Sequence, residues 1–211
     1  MTWVEFDVAL SADGHPVVLH DESLLRTAGL DRLVSELTLA ELHRLDVGSW
    51  FGPAFKDERL PSLTQFFERL GELGLGANIE IKPVKGHEAA TAAAVVDAVK
   101  AAWPPRLPAP LLSCFSLVAL EVARDLGPGI ARGYLVEELP PGWQATAARL
   151  AAASVHPWHE PLTAAQVRAL KAAGYLVAVY TVNEAARARE LLAWGVDSII
   201  TDDPPALRAL A

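Results

Sequence analysis

Trp3-Val4-Glu5-Phe6-Asp7-Val8-Ala9-Leu10 is the stretch on which the reading of this chain turns. Side chains alternate between the two faces of a strand, so Glu5 and Asp7 share one face and Val4, Phe6 and Val8 the other. Two carboxylates on the inner face of an apolar strand are costly unless something pairs with them. A hard divalent cation, which prefers oxygen ligands, is the natural partner. A second stretch, Asn78-Ile79-Glu80-Ile81-Lys82-Pro83, repeats the logic, with Glu80 and Lys82 on one face and Ile79 and Ile81 on the other. If the two strands are neighbours in a barrel, Glu5, Asp7 and Glu80 converge near its carboxyl end, where barrel active sites lie. Three carboxylates suit Mg²⁺ or Ca²⁺ better than zinc.

Outward from the first strand, Asp13-Gly14 signals a tight turn, and Pro16-Val17-Val18-Leu19 reads as a second, hairpin strand. His20 and Asp21 stand where it ends, and His20 can move a proton near neutral pH. Thr38 with Glu41, Ser62 with Gln65 and Thr163 with Gln166 are capping-box pairs that open helices. The segment 46–61 carries Trp50, Phe51 and Phe55 among Gly and Pro, and is read as a packed excursion. From Ser62 onward strands and helices alternate, with strands expected at 77–81, 111–115, 130–136, 154–157, 176–182 and 198–201. Asn183 is expected to cap the helix that ends at Gly195, and Pro204 and Pro205 to open the last one. His156 and His159 are read as structural, and Cys114 as a buried thiol.

This alternation predicts a parallel-stranded α/β fold of TIM-barrel type in one domain over residues 1–211, with an insertion at about 11–61. Seven candidate barrel strands are found where such a barrel has eight and typically ~250 residues. The chain has 211 residues, 52% hydrophobic, which is ample for a full core. A net charge of −8 argues against nucleic acid or an anionic membrane surface as partner. A single cysteine excludes an internal disulfide. No apolar run is long enough to span a membrane and no leader peptide is evident, so a cytoplasmic location is expected.

Together these stretches resemble the glycerophosphodiester phosphodiesterase family. The resemblance runs from 4–8 through Ser11-Ala12-Asp13-Gly14, 16–21 with Leu24, Arg26 and Thr27, then 45–51, 60–63 and 78–83. It ends in Tyr180-Thr181-Val182-Asn183, Gly195-Val196-Asp197 and Thr201-Asp202-Asp203-Pro204. It implies a TIM barrel with a small insertion, and metal-dependent hydrolysis of glycerophosphodiesters to glycerol 3-phosphate and an alcohol. It further implies that Glu5, Asp7 and Glu80 hold the metal and that His20 is a general acid–base. Lys82 and Tyr180 then contact phosphate and substrate; the family usually has Trp at the Tyr180 position. The family opens with a His-Arg-Gly strand and a Pro-Glu-Asn-Thr helix, and neither motif occurs here. The same strand–helix unit is the one the strand count lacks, so impaired activity is expected of these 211 residues. The alternative is a non-catalytic binding or regulatory protein that retains the metal and phosphate contacts. Lysophospholipid cleavage finds no support in the sequence, which has no apolar anchor helix.

Overall fold

The alternating apolar residues of Trp3–Leu10 make the first strand of the structure, a computed structural model that describes residues 2–210. By their contacts the residues form two units, 2–112 with 116–130 and 113–115 with 131–210.

In the first unit, β1 (Trp3–Leu10) pairs antiparallel with β2 (Pro16–Val18) and parallel with β3 (Gly76–Ile81), in the order β2-β1-β3. The hairpin is closed by Ser11, whose carbonyl accepts from the Gly14 amide and whose amide reaches the His15 carbonyl. The β1–β3 register sets Glu5 opposite Asn78 and Asp7 opposite Glu80. Phe6 and Val8 on one face, and Ile79 and Ile81 beside them, are buried.

The insertion is built of short helical pieces, one more α-turn than the capping box at Thr38 alone indicates. It holds α1 (Leu25–Ala28), α2 (Leu39–Leu42) and short 3₁₀ turns at Val34–Glu36 and Pro53–Phe55. Thr38 and Glu41 cap α2 reciprocally as expected, and the helix ends after one turn at Leu42. The insertion has its own apolar core, with Val17, Leu24, Val34 and Leu42 fully buried together. Each such side chain contributes about 1.5–3 kcal/mol, which holds a segment with little regular structure. Trp50, Phe51 and Phe55, expected to pack inward, are instead 48%, 68% and 45% exposed. The aliphatic residues already fill that core.

α3 (Leu63–Leu73) begins at the Ser62–Gln65 capping box and stops at Gly74, whose φ of 68° suits glycine. α4 (Glu88–Ala102) and α5 (Leu117–Leu126) complete the unit, the latter capped by Ser116. β4 (Leu111–Cys114) divides between the two units.

The second unit carries the parallel order β5-β6-β7-β8, namely Ala131–Val136, Ser154–Pro157, Leu176–Val179 and Ser198–Ile199. Its helices are α6 (Trp143–Arg149), α7 (Ala164–Ala172), α8 (Ala185–Trp194) and α9 (Pro204–Leu207). β7 and β8 are shorter than the sequence suggests. Asn183 does not cap α8; Glu184 stands there, and the Asn183 Oδ1 accepts from the Thr201 hydroxyl and the Asp202 amide. These tertiary partners outcompete the local cap. Cys114 is buried. His156 is buried with Nε2 2.8 Å from the Ser154 Oγ, and burial lowers its pKa to about 4. Among the described residues no helix is long and apolar enough to cross a membrane.

Candidate active site

β1 and β3 lie side by side, so their acidic faces merge. One carboxylate oxygen from each of Glu5, Asp7 and Glu80 falls within 4.8 Å of the others. All three side chains are half-buried. Lys82, two residues beyond Glu80, brings its Nζ to 3.0 Å from Asp7 Oδ1 and 3.7 Å from Glu80 Oε1. Its own amide is fixed by the Val8 carbonyl at 2.9 Å.

The electrostatics follow from crowding. Burial first, then the Asp7 charge, push the Glu80 carboxyl up to about 7, against the pull of Lys82 and His20. Burial opposes the Lys82 ammonium, but the Glu80 and Asp7 carboxylates outweigh it and hold the Lys82 pKa above its ordinary value. Three carboxylates face the Lys82 ammonium here, so the cluster carries an excess of negative charge. Its oxygen-only donors and close spacing fit a hard divalent cation.

β2 delivers the second part of the site. The Leu19 amide donates to the Asp7 carbonyl at 3.1 Å, which ties the end of the hairpin to the acidic strand. His20 follows, with Nδ1 2.8 Å from Asp21 Oδ1. Asp21 Oδ2 in turn accepts from Arg26 Nε at 2.6 Å. The Arg26 hydrogen bond, with help from His20, outweighs burial and holds Asp21 at about 2. Asp21 is therefore a fixed anion that orients the imidazole. An open cleft of about 640 Å³ is bordered by His20, Asp21, Leu25, Arg26 and Lys82, a volume in the range of small-molecule sites.

Five of the six expected residues thus lie together in the first unit. Tyr180 belongs to the second unit, where its hydroxyl donates to the Val136 carbonyl at 3.0 Å and its ring meets Phe115 edge-on at 5.9 Å. Asp21 and Arg26 had no role assigned from sequence. The signal was present in the run His20-Asp21 with an arginine five residues on, but their pairing needs the turn into α1.

The glycerophosphoryl diester phosphodiesterase family pattern matches residues 1–206. The chain belongs to this family. It is 33% identical over 206 residues to a glycerophosphodiester phosphodiesterase of Caldanaerobacter subterraneus, covering 97% of this chain and 83% of that one. A phosphodiesterase of Oleispira antarctica, solved with the product sn-glycerol-3-phosphate, is 41% identical with a TM-score of 0.95, over 99% of this chain and 84% of that one. A Thermotoga maritima glycerophosphodiester phosphodiesterase is 28% identical with a TM-score of 0.76, over 99% and 84%. The fold class is accordingly α/β of TIM-barrel type with an insertion after the Glu5/Asp7 strand, and the family activity is that of a phosphoric diester hydrolase.

Proposed function

We propose that the chain hydrolyses glycerophosphodiesters to glycerol 3-phosphate and an alcohol, with Glu5, Asp7 and Glu80 holding a divalent cation, Mg²⁺ or Ca²⁺. The observation that carries the reading is the convergence of these three carboxylates beside the Lys82 ammonium at a small-molecule cleft. It agrees with the product found in the Oleispira structure. When bound, the cation supplies charge neutralisation and orientation for the phosphate. Lys82, already poised at the rim of the carboxylates, turns its ammonium toward a phosphate oxygen. His20, held through Nδ1 by Asp21, presents Nε2 for proton transfer to or from the ester oxygens. Arg26 keeps Asp21 ionised and so fixes the imidazole's orientation.

The test is release of glycerol 3-phosphate from glycerophosphocholine with Mg²⁺, Ca²⁺ or EDTA, using wild type and His20→Ala. Metal-dependent release abolished in His20→Ala supports the reading; release that is indifferent to EDTA sinks the metal assignment. Tyr180→Phe tests the remaining candidate, which gains a substrate role only if KM rises. Among the described residues the cleft borders on one imidazole, His20, and where the reaction needs a second, its lack costs ~10²–10⁴-fold in rate. Slow turnover is therefore expected of these 211 residues. The same observation favours a second reading, phosphodiester binding without hydrolysis. Calorimetric binding of glycerol 3-phosphate with no detectable turnover would select it.

A further inference from the structure

The acidic face of β1 and β3 carries one further polar side chain. Asn78 precedes Glu80 by two residues on β3, so its amide projects from the same face as the three carboxylates. The register sets it opposite Glu5, beside the next pair on that face, Asp7 and Glu80. It is 8% exposed and lies deeper than the half-buried carboxylates. Its Oδ1 is enclosed by the fold and finds no hydrogen-bond partner among the described residues. A buried carbonyl oxygen left unpaired is costly, and such atoms in native folds call for an explanation.

The surroundings decide what can pair with this oxygen. Lys82 shares the face, but it stands four residues beyond Asn78, roughly 13 Å along the strand, and Asp7 and Glu80 hold its ammonium. Main-chain amides lie in the plane of the sheet, whereas the Asn78 side chain stands out from it. With a cation bound, Glu5, Asp7 and Glu80 are ionised and only accept. The donor that remains is water. Reach points the same way. Glu5, opposite Asn78, is one methylene longer, and its carboxylate oxygen joins the cluster. Asn78 starts roughly 6.6 Å before Glu80 along the strand, and its side chain is the shorter one. A hard divalent cation takes about six or more oxygen ligands, and Mg²⁺ in particular keeps several waters. Three carboxylates leave places for such waters, which the cation polarises into strong donors.

We propose that Asn78 is a positioning residue for the cation, its Oδ1 accepting a hydrogen bond from water bound to the ion that Glu5, Asp7 and Glu80 hold. This inference rests on the cation assignment above and adds to it a group outside the three carboxylates. A neutral amide suits the task, because it accepts as a carboxylate does without adding a fourth negative charge to the face. Burial fixes the amide before the cation arrives, so the water it meets is held in one orientation. The unpaired oxygen gives the metal-free fold nothing, and cation binding supplies its partner. Asn78 therefore contributes to cation affinity and not to the stability of the metal-free protein.

Mg²⁺ and Ca²⁺ are each titrated by calorimetry into wild type, Asn78→Leu and Asn78→Asp, and thermal denaturation of all three is followed by circular dichroism in EDTA. Leucine has nearly the shape of asparagine without its acceptor. The Kd for the cation is expected to rise about ten- to hundredfold in Asn78→Leu, the usual effect of losing a group that orients a metal's ligands. Asn78→Asp keeps an acceptor and is expected to bind at least as tightly as wild type. In EDTA Asn78→Leu is expected to melt no lower than wild type, because no hydrogen bond is lost. A merely structural amide gives the opposite pattern, a lower melting temperature with an unchanged Kd, and that result overturns the proposal. A lower melting temperature together with a weaker Kd overturns it as well, because the amide then holds the metal-free fold. Equal loss of affinity in Asn78→Leu and Asn78→Asp assigns the work to the amide N–H and overturns the acceptor role. Cation binding that is the same in wild type and both variants overturns this inference alone. Wild type that binds neither cation overturns the cation assignment and this inference with it.

Discussion

Replacing Glu80 by Gln is expected to stabilise the metal-free protein and remove its response to cations. Glu80 titrates at 4.5 in an unfolded chain and at about 7 in the fold, because burial and the Asp7 charge disfavour its anion. A raised carboxyl pKa means that the folded state holds the proton more tightly than the unfolded one. Stability in the absence of metal is thus greatest below pH 4.5, declines as pH rises toward 7, and has lost the full increment above it. The increment corresponds to about 3 kcal/mol. An amide side chain at this position cannot ionise, so at pH 8 in EDTA Glu80→Gln should melt about 6–12 °C above wild type for a chain of this size. At pH 4.5 the two melt together. Ca²⁺ or Mg²⁺ at a thousand times its Kd reverses the order, because it adds about 4.1 kcal/mol to the protein that binds it. The assay is thermal denaturation followed by circular dichroism from pH 4.5 to 8.5, with EDTA or cation. A difference that does not grow with pH, or equal cation stabilisation of both proteins, would refute the account of Glu80 as a strained ligand.

Lys82→Met removes the ammonium that competes for Asp7; metal affinity by calorimetry should rise while affinity for glycerol 3-phosphate falls at least about tenfold. Asp21→Asn unties His20 from Arg26; kcat should drop by roughly tenfold or more with little change in KM, read by steady-state release of glycerol 3-phosphate. Burial of His156 lowers its pKa from 6.5 to about 4, so its contribution is fully present above pH 6.5 and is lost as pH falls through 4. Urea unfolding of wild type against His156→Asn should show a difference shrinking by about 3 kcal/mol over that window. Gly48→Ala drives a methyl into the Phe55 carbonyl; limited proteolysis should then cut within 48–57, where wild type resists.

The elements best read from sequence were those whose causes are local. The Ser62–Gln65 and Thr163–Gln166 boxes open their helices because a cap needs only a hydroxyl and an amide three residues apart. The alternation around Glu5, Asp7 and Glu80 gave their shared face, but the register that sets Asp7 opposite Glu80 is a long-range fact. Asn183 misled because a good cap residue also makes a good partner for a distant loop. Trp50, Phe51 and Phe55 misled for another reason. Nothing in composition says that eight aliphatic residues already fill the insertion's core and leave the rings outside. The Asp21–Arg26 bond stayed hidden because neither residue departs from an ordinary surface pattern until α1 brings them together.

The ammonium of Lys82, 3.0 Å from Asp7, makes the order of ligand arrival matter. It occupies the carboxylates while they wait, like an internal salt that keeps three anions assembled. A cation that takes Asp7 releases this ammonium to the phosphate. A phosphate that draws the ammonium away leaves the carboxylates short of positive charge. Each ligand thereby raises the affinity for the other by the same factor, since such coupling is reciprocal. Titrations with either ligand alone should look weak, and with both present they should become cooperative.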